Sequence, residues 1–383
     1  MNHRSPLLTF ALFLSMLALS RSLRLSSLSS LSSLSSPSST SSRTFVSVTP
    51  MTMMPEGPEV KTLATSIAAE LLSEPHNLVN CAILSGRYFP PKAPPSNYFE
   101  FDESLHPDFE TGDVPPPSKP LATSPPPLPS PSHPSNRITA WNCRGKFQYL
   151  ALPSSRSVWI TLGMSGRFLW NATDHRHARF NFVVENAASK ERRDLTFVDA
   201  RQFGTVKMCM DDGELEKKLG SLGPDILDDR VTDGEFIEAV NKQRLGMNVC
   251  KWLMNQQKIC GVGNYILAEG LYKAAVDPWA NIKDLPEPVL VQLFAALRTT
   301  ARQSYAAQGA TLMKNGTYRQ IDGTTGNFEF SLECYGKREA PSGEPVLKIV
   351  DGPHKRAIHF VWEQVGEENR EMVRGLLEAA KRR

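Results

Sequence analysis

The hydrophobic pattern of this chain changes period near residue 214, and that change limits what it can fold into. Before that point apolar and polar residues alternate in short runs broken by Gly, Asp or Asn: 138–152, 157–162, 166–170, 178–185, 195–199 and 204–210. Period-two alternation over such short runs predicts antiparallel sheets with one buried face. Beyond it the spacing turns helical over 214–219, 233–242, 248–258, 265–275 and 287–307. Two more strands are expected at 345–350 and 356–362, then a charged, helical or frayed tail, 366–383. One helix precedes the sheets: Val60, Leu63, Ala64, Ile67 and Leu71 form a stripe over 58–73, with Pro58 suited to the first helical position and Glu59 to the positive helix end. A strand is expected at 79–88. The class is α+β.

Two stretches are unsuited to any core. Residues 1–53, with four arginines and no acid, hold a short apolar run, Pro6 to Leu19, and then a serine-rich segment. This pattern suits an organelle-targeting leader, or else an upstream start codon before Met51, Met53 or Met54. The protein is accordingly expected in a plastid or mitochondrion with the leader, or in the nucleus if translation starts near Met54. Residues 90–134 are Pro/Ser-rich and are expected to be a disordered insertion. The 383 residues leave room for two or three domains. The expected division is 1–53 leader, 54–213 β-sandwich, 214–325 helical domain, 326–365 hairpin and 366–383 tail.

Charge does not announce a partner. The formal net charge is +3, but four of the 43 basic residues lie in the leader, and the remainder carries 39 basic against 40 acidic residues. Binding to a polyanion must therefore rest on local basic groups. The six cysteines show no Cys-x-x-Cys spacing, which argues against a structural zinc site and for reduced, buried thiols.

Two motifs carry chemistry. Pro55-Glu56 is a strong catalytic pair only if Pro55 is the first residue, because its nitrogen is then a secondary amine and not an amide. An α-amine titrates near pH 8, so part of it is a neutral nucleophile near neutrality. Here 54 residues precede it, so the amine has to be exposed. Gly261-Val262-Gly263-Asn264, ahead of a helix, offers backbone amides to an anion such as a DNA phosphate, with Asn264 as a further donor; it also reads as a plain turn between helices. Lys146 is expected in a strand between apolar residues, needing a partner or snorkelling off a strand edge.

Taken in order, Pro55-Glu56-Gly57-Pro58-Glu59-Val60, Arg144-Gly145-Lys146, Leu162-Gly163-Met164-Ser165-Gly166, Asp199-Ala200-Arg201-Gln202-Phe203-Gly204, Leu222-Gly223-Pro224-Asp225, and Trp252-Leu253-Met254 with Gly261-Val262-Gly263-Asn264 resemble the formamidopyrimidine-DNA glycosylase / endonuclease VIII family. The resemblance runs from about 55 to 362. It implies an N-terminal antiparallel β-sandwich with an N-terminal helix, a helix–two-turns–helix domain and a β-hairpin finger. It further implies a bifunctional DNA glycosylase and AP lyase acting on oxidised bases in double-stranded DNA, as a monomer, with no cofactor and no membrane partner.

Under the resemblance Pro55, Glu56 and Lys146 are catalytic. Met164, Arg201 and Phe203 fill the gap left by a flipped nucleotide, and Gly263, Asn264 and Arg356 bind DNA phosphates. Gln202 departs from the usual second arginine. The four finger cysteines are missing after Cys334, so the finger resembles the zincless endonuclease VIII-like type; a metal site from His354, His359 and Cys334 is not expected. Substrates implied are formamidopyrimidines and hydantoins. The choice between 8-oxoguanine and oxidised pyrimidines is left to the loop 308–330.

Overall fold

The computed structural model describes residues 55–86, 136–153, 156–209, 212–243, 245–309 and 331–382; the leader, Met54, the Pro/Ser-rich segment and most of the loop 308–330 lie outside them.

Helix α1 (Gly57–Ser73) buries the stripe read from the sequence, Val60, Leu63, Ala64, Ile67 and Leu71. Its start is held by a reciprocal acid: the Glu56 N–H donates to Glu59 Oε2 at 2.8 Å. Eight strands follow, β1 (His76–Ile83), β2 (Ala140–Arg144), β3 (Phe147–Ala151), β4 (Ser157–Thr161), β5 (Arg167–Trp170), β6 (Ala178–Asn186), β7 (Arg192–Val198) and β8 (Thr205–Cys209). They pair antiparallel in two sheets, ordered β1-β6-β7-β5 and β2-β3-β4-β8. The inner faces meet through aromatic edges: Trp141 of one sheet stands against Phe168 of the other at 5.3 Å and 87°. One core cluster joins α1 to both sheets.

The run 138–152 is a hairpin, not one strand. Gly145 adopts a φ of +57, which an L side chain disfavours, and lets the chain reverse so that Arg144 pairs with Phe147. Lys146 therefore sits in the turn and not in a strand. The strand expected at 79–88 begins three residues earlier, at His76.

Helices α2 (Asp212–Gly220), α3 (Asp233–Asn241), α4 (Val249–Met254), α5 (Asn264–Lys273) and α6 (Glu287–Ala306) come next. Helix α4 stops at Met254, short of the 258 expected. Asn255 is extended, and Gln256 turns its amide across the following loop, donating to Val262 O at 3.0 Å and accepting from Gly261 N at 3.0 Å. Helices α3 to α6, the hairpin β9 (Val346–Ile349) and β10 (Ile358–Val361), and helix α7 (Glu367–Lys381) share a second core cluster. The charged end is thus a helix that seats Val373, not a frayed tail. Helix α5 packs along α6, and α1 also lies against α6, which brings the sandwich helix to the helical core.

Candidate active site

Three backbones meet at one point. Gly57 N–H, at the start of α1, donates to the Gly261 carbonyl at 2.9 Å. A Cβ on Gly145 would lie 2.6 Å from Gly261 N and 2.7 Å from Cys260 Cβ. Gly261 itself has φ +94. The segment 55–57, the hairpin turn 145–146 and the turn before α5 touch without side chains between them. Arg144 and Gly145 fasten the turn further: the guanidinium donates to Leu222 O and Gly223 O at 3.3 and 3.1 Å, and Gly145 N–H donates to Asp225 Oδ2 at 2.7 Å.

This junction gathers the predicted catalytic residues. Pro55 is buried beside it. Glu56, 2% exposed, turns its carboxylate to the first turn of α5, where Oε1 accepts from Tyr265 N–H at 2.9 Å and Oε2 from Ile266 N–H at 3.3 Å. Lys146 comes from the other side. A Cβ on Gly263 would lie 2.3 Å from Glu56 Cδ and 2.5 Å from Lys146 Nζ, so the two side chains fill the space that glycine leaves open.

Two amides of the helix, those of Tyr265 and Ile266, are donated to Glu56, so the first turn of α5 holds the protein's own carboxylate. Gly263 serves to admit Glu56 and Lys146.

Burial raises the Glu56 carboxyl to about 7; the Lys146 cation opposes the rise, Glu59 adds to it, and the two amides lower it. Burial lowers the Lys146 ammonium, and the Glu56 charge counters. An acid poised near neutral pH beside an amine of reduced basicity can both give and take a proton.

Behind Glu56 lies a network that the sequence reading missed. Tyr265 OH donates to Glu59 Oε1 at 3.1 Å and lies 2.8 Å from Ser304 Oγ on α6. Glu59 and Ser304 are fully buried. The spacing of Glu56 and Glu59 was a usable signal for the capping pair; nothing local pointed to Ser304.

Met164, Arg201 and Phe203 form a cluster of their own on two sandwich loops. Buried Asp199 organises it: Oδ1 accepts from Ser165 Oγ at 2.5 Å and Arg201 N–H at 3.2 Å, and Oδ2 from Gly204 N–H at 2.7 Å. Arg201 Nη1 reaches Met164 Sδ at 3.5 Å, and Phe203 is 53% exposed. Gln202 has φ +57 and turns its amide toward Gly86, whose Cβ would lie 2.6 Å from Gln202 Oε1.

In the hairpin, Arg356 is exposed in the loop between β9 and β10. Asn264 is not a spare donor: Nδ2 donates to Ala357 O at 2.8 Å and Oδ1 faces His354 Nε2 at 2.8 Å. The hairpin is anchored by the buried Glu269 carboxylate of α5, which accepts the N–H groups of Glu333, Cys334 and Tyr335 at 2.7–2.9 Å. Among the described residues no three His, Cys, Asp or Glu side chains are arranged to hold a metal ion.

The chain is similar to known proteins in sequence and in fold. Residues 119–206 match the model of the formamidopyrimidine-DNA glycosylase N-terminal domain. The chain is 31% identical over 229 residues to the formamidopyrimidine-DNA glycosylase of Acidothermus cellulolyticus, covering 58% of this chain and 77% of that protein. It is 31% identical over 201 residues to that of Wolbachia pipientis, covering 52% and 70%. Among solved structures, the MutM (Fpg) protein of Thermus thermophilus superimposes with a TM-score of 0.59 at 25% identity, over 82% of this chain and 99% of that one. The Lactococcus lactis Fpg bound to DNA containing an AP site shares the fold, with a TM-score of 0.58 at 18% identity, over 82% of this chain and 100% of that one.

Proposed function

This chain belongs to the formamidopyrimidine-DNA glycosylase family, and from that we propose that it is a base-excision-repair glycosylase and AP lyase that removes oxidised bases from double-stranded DNA. The observation that carries the proposal is Glu56: a buried carboxyl raised to about 7, next to Pro55 in the chain and beside Lys146.

In this reading the Pro55 nitrogen, as a free secondary amine, attacks C1′ of the damaged nucleotide. The bond from C1′ to the base breaks, and the base leaves with the electron pair and takes up the proton that the nitrogen releases. Glu56 gives its proton to the sugar ring oxygen, the ring opens, and the nitrogen and C1′ are left as a cationic iminium. The iminium draws electrons from the adjacent C–H bond as the Glu56 carboxylate takes its proton, so the 3′ phosphate and then the 5′ phosphate leave with their electron pairs. Lys146, held next to Glu56, lowers the cost of its carboxylate form after proton transfer. The lesion nucleotide is flipped out, Met164 and Phe203 fill the stack, and Arg201 faces the orphaned base. Arg356 clamps the flanking phosphates. Formamidopyrimidines and hydantoins are the proposed substrates, and the protein acts as a monomer without a cofactor.

The test is borohydride trapping on a lesion duplex by the chain beginning at Pro55. A covalent protein–DNA adduct is expected, and none when Met54 remains attached, since the nitrogen is then an amide. Absence of an adduct from the Pro55 form would sink the lyase reading. Lesion binding without trapping would leave a recognition protein.

A further inference from the structure

The hairpin loop meets the first turn of α5 at Asn264. The Ala357 carbonyl can only accept, so the Asn264 end facing it is the Nδ2 donor. Asn264 Oδ1 is then an acceptor, and His354 must carry its proton on Nε2 to donate at 2.8 Å. His354 Nδ1 is buried and has no hydrogen-bond partner among the described residues. Burial, with the Arg356 charge added, pushes the ring down to about 4, so it is neutral at physiological pH. The loop is itself braced: Gly352 N–H donates to Arg356 O, and Lys355 N–H to Gly352 O, both at 2.9 Å. Fixing His354 and Ala357 therefore fixes Arg356 between them.

We propose that His354 is a positioning residue. By donating to Asn264 it locks the loop that carries Arg356 onto the turn of α5 whose amides hold Glu56. The arginine and the acid are thereby presented as one preorganised unit, joined across Asn264 and Tyr265. His354 acts through Asn264 and touches no reacting atom. What the unit clamps rests on the glycosylase reading; the lock itself does not.

The test uses the full chain with three substitutions: His354→Phe, which keeps ring volume and removes the donor; His354→Gln, which keeps a donor; and Asn264→Ala. Amide hydrogen exchange over 350–357 is expected to quicken on the order of ten-fold in His354→Phe and in Asn264→Ala, and to stay near the unsubstituted rate in His354→Gln. The double variant is expected to add nothing to Asn264→Ala. Exchange in α6 should stay unchanged, which separates a lost lock from a general loss of stability. Affinity for a duplex bearing a tetrahydrofuran abasic analogue should fall by the same order in His354→Phe and recover in His354→Gln. Unchanged exchange in His354→Phe, no rescue by glutamine, or additivity in the double variant would overturn the proposal. If His354→Phe does not fold, the glutamine and alanine variants still decide, because equal protection in both overturns it. If the unsubstituted chain binds no lesion duplex, the glycosylase reading fails while the exchange measurements still judge the lock.

Discussion

Glu56 closes a helix that starts far along the chain: its carboxylate accepts the N–H of Tyr265, 209 residues later, at 2.9 Å. The acid expected to move protons is also the cap of α5, so its protonation bears on folding as well as on reaction.

This link predicts a pH dependence. The folded carboxyl titrates near 7 against an ordinary value of 4.5, so it is raised. The unfolded chain releases the proton first as pH rises. Stability is therefore greatest below the ordinary value and declines through the window between 4.5 and about 7. Glu56→Gln should flatten this slope, by roughly 3 kcal/mol at most given about 1.4 kcal/mol per pH unit. Melting curves from pH 4 to 8 for both proteins measure the difference, and equal slopes would count against it.

Gly263→Ala is expected to cost activity more than stability. The added Cβ would sit 2.3 Å from Glu56 Cδ and must push aside two flexible side-chain ends. A displacement of about 1 Å at a reacting group lowers turnover roughly 100-fold. Single-turnover cleavage by the Pro55 form reads the loss. Gly220→Ala, where a Cβ meets nothing within 4 Å, is the control and should cleave at the normal rate.

Tyr265→Phe removes a hydroxyl that donates to Glu59 and meets Ser304 inside the core. Buried polar groups left unpaired cost about 1–3 kcal/mol. Urea denaturation should show that loss. Adding Ser304→Ala should cost less than it does alone, because the two share one network.

Glu269→Gln sets an NH2 group among three backbone N–H groups that now converge on a carboxylate. About 2 kcal/mol of stability should be lost, from charge-assisted bonds that a neutral amide does not replace. The loss should show as faster proteolysis between 331 and 345 ahead of global unfolding.

Strong periodicity was readable at a distance. The stripe of α1, the alternating strands and the helical run 287–307 all found their elements, because local patterning and burial agreed there. What failed depended on partners far away in sequence. Lys146 read as a strand lysine, since a two-residue turn leaves little mark beyond Gly145. That the amides of Tyr265 and Ile266 hold Glu56 was not readable, since nothing near them points to a carboxylate some two hundred residues earlier. Asn264 read as a spare donor, although the hairpin loop that uses it lies some ninety residues on. Pro55, Glu56, Lys146 and Gly263 were singled out from the sequence and do lie together; how they are arranged required the fold.

The junction of Gly57, Gly145 and Gly261 has a consequence for change in this scaffold. Contacts between side chains can drift, because one substitution can be answered by another. Contacts between bare backbones have no such recourse. The reacting centre can therefore be retuned from its outer loops, by new residues around Met164, Phe203 or Arg356, but it cannot be shifted piecemeal. It moves as a block or is lost.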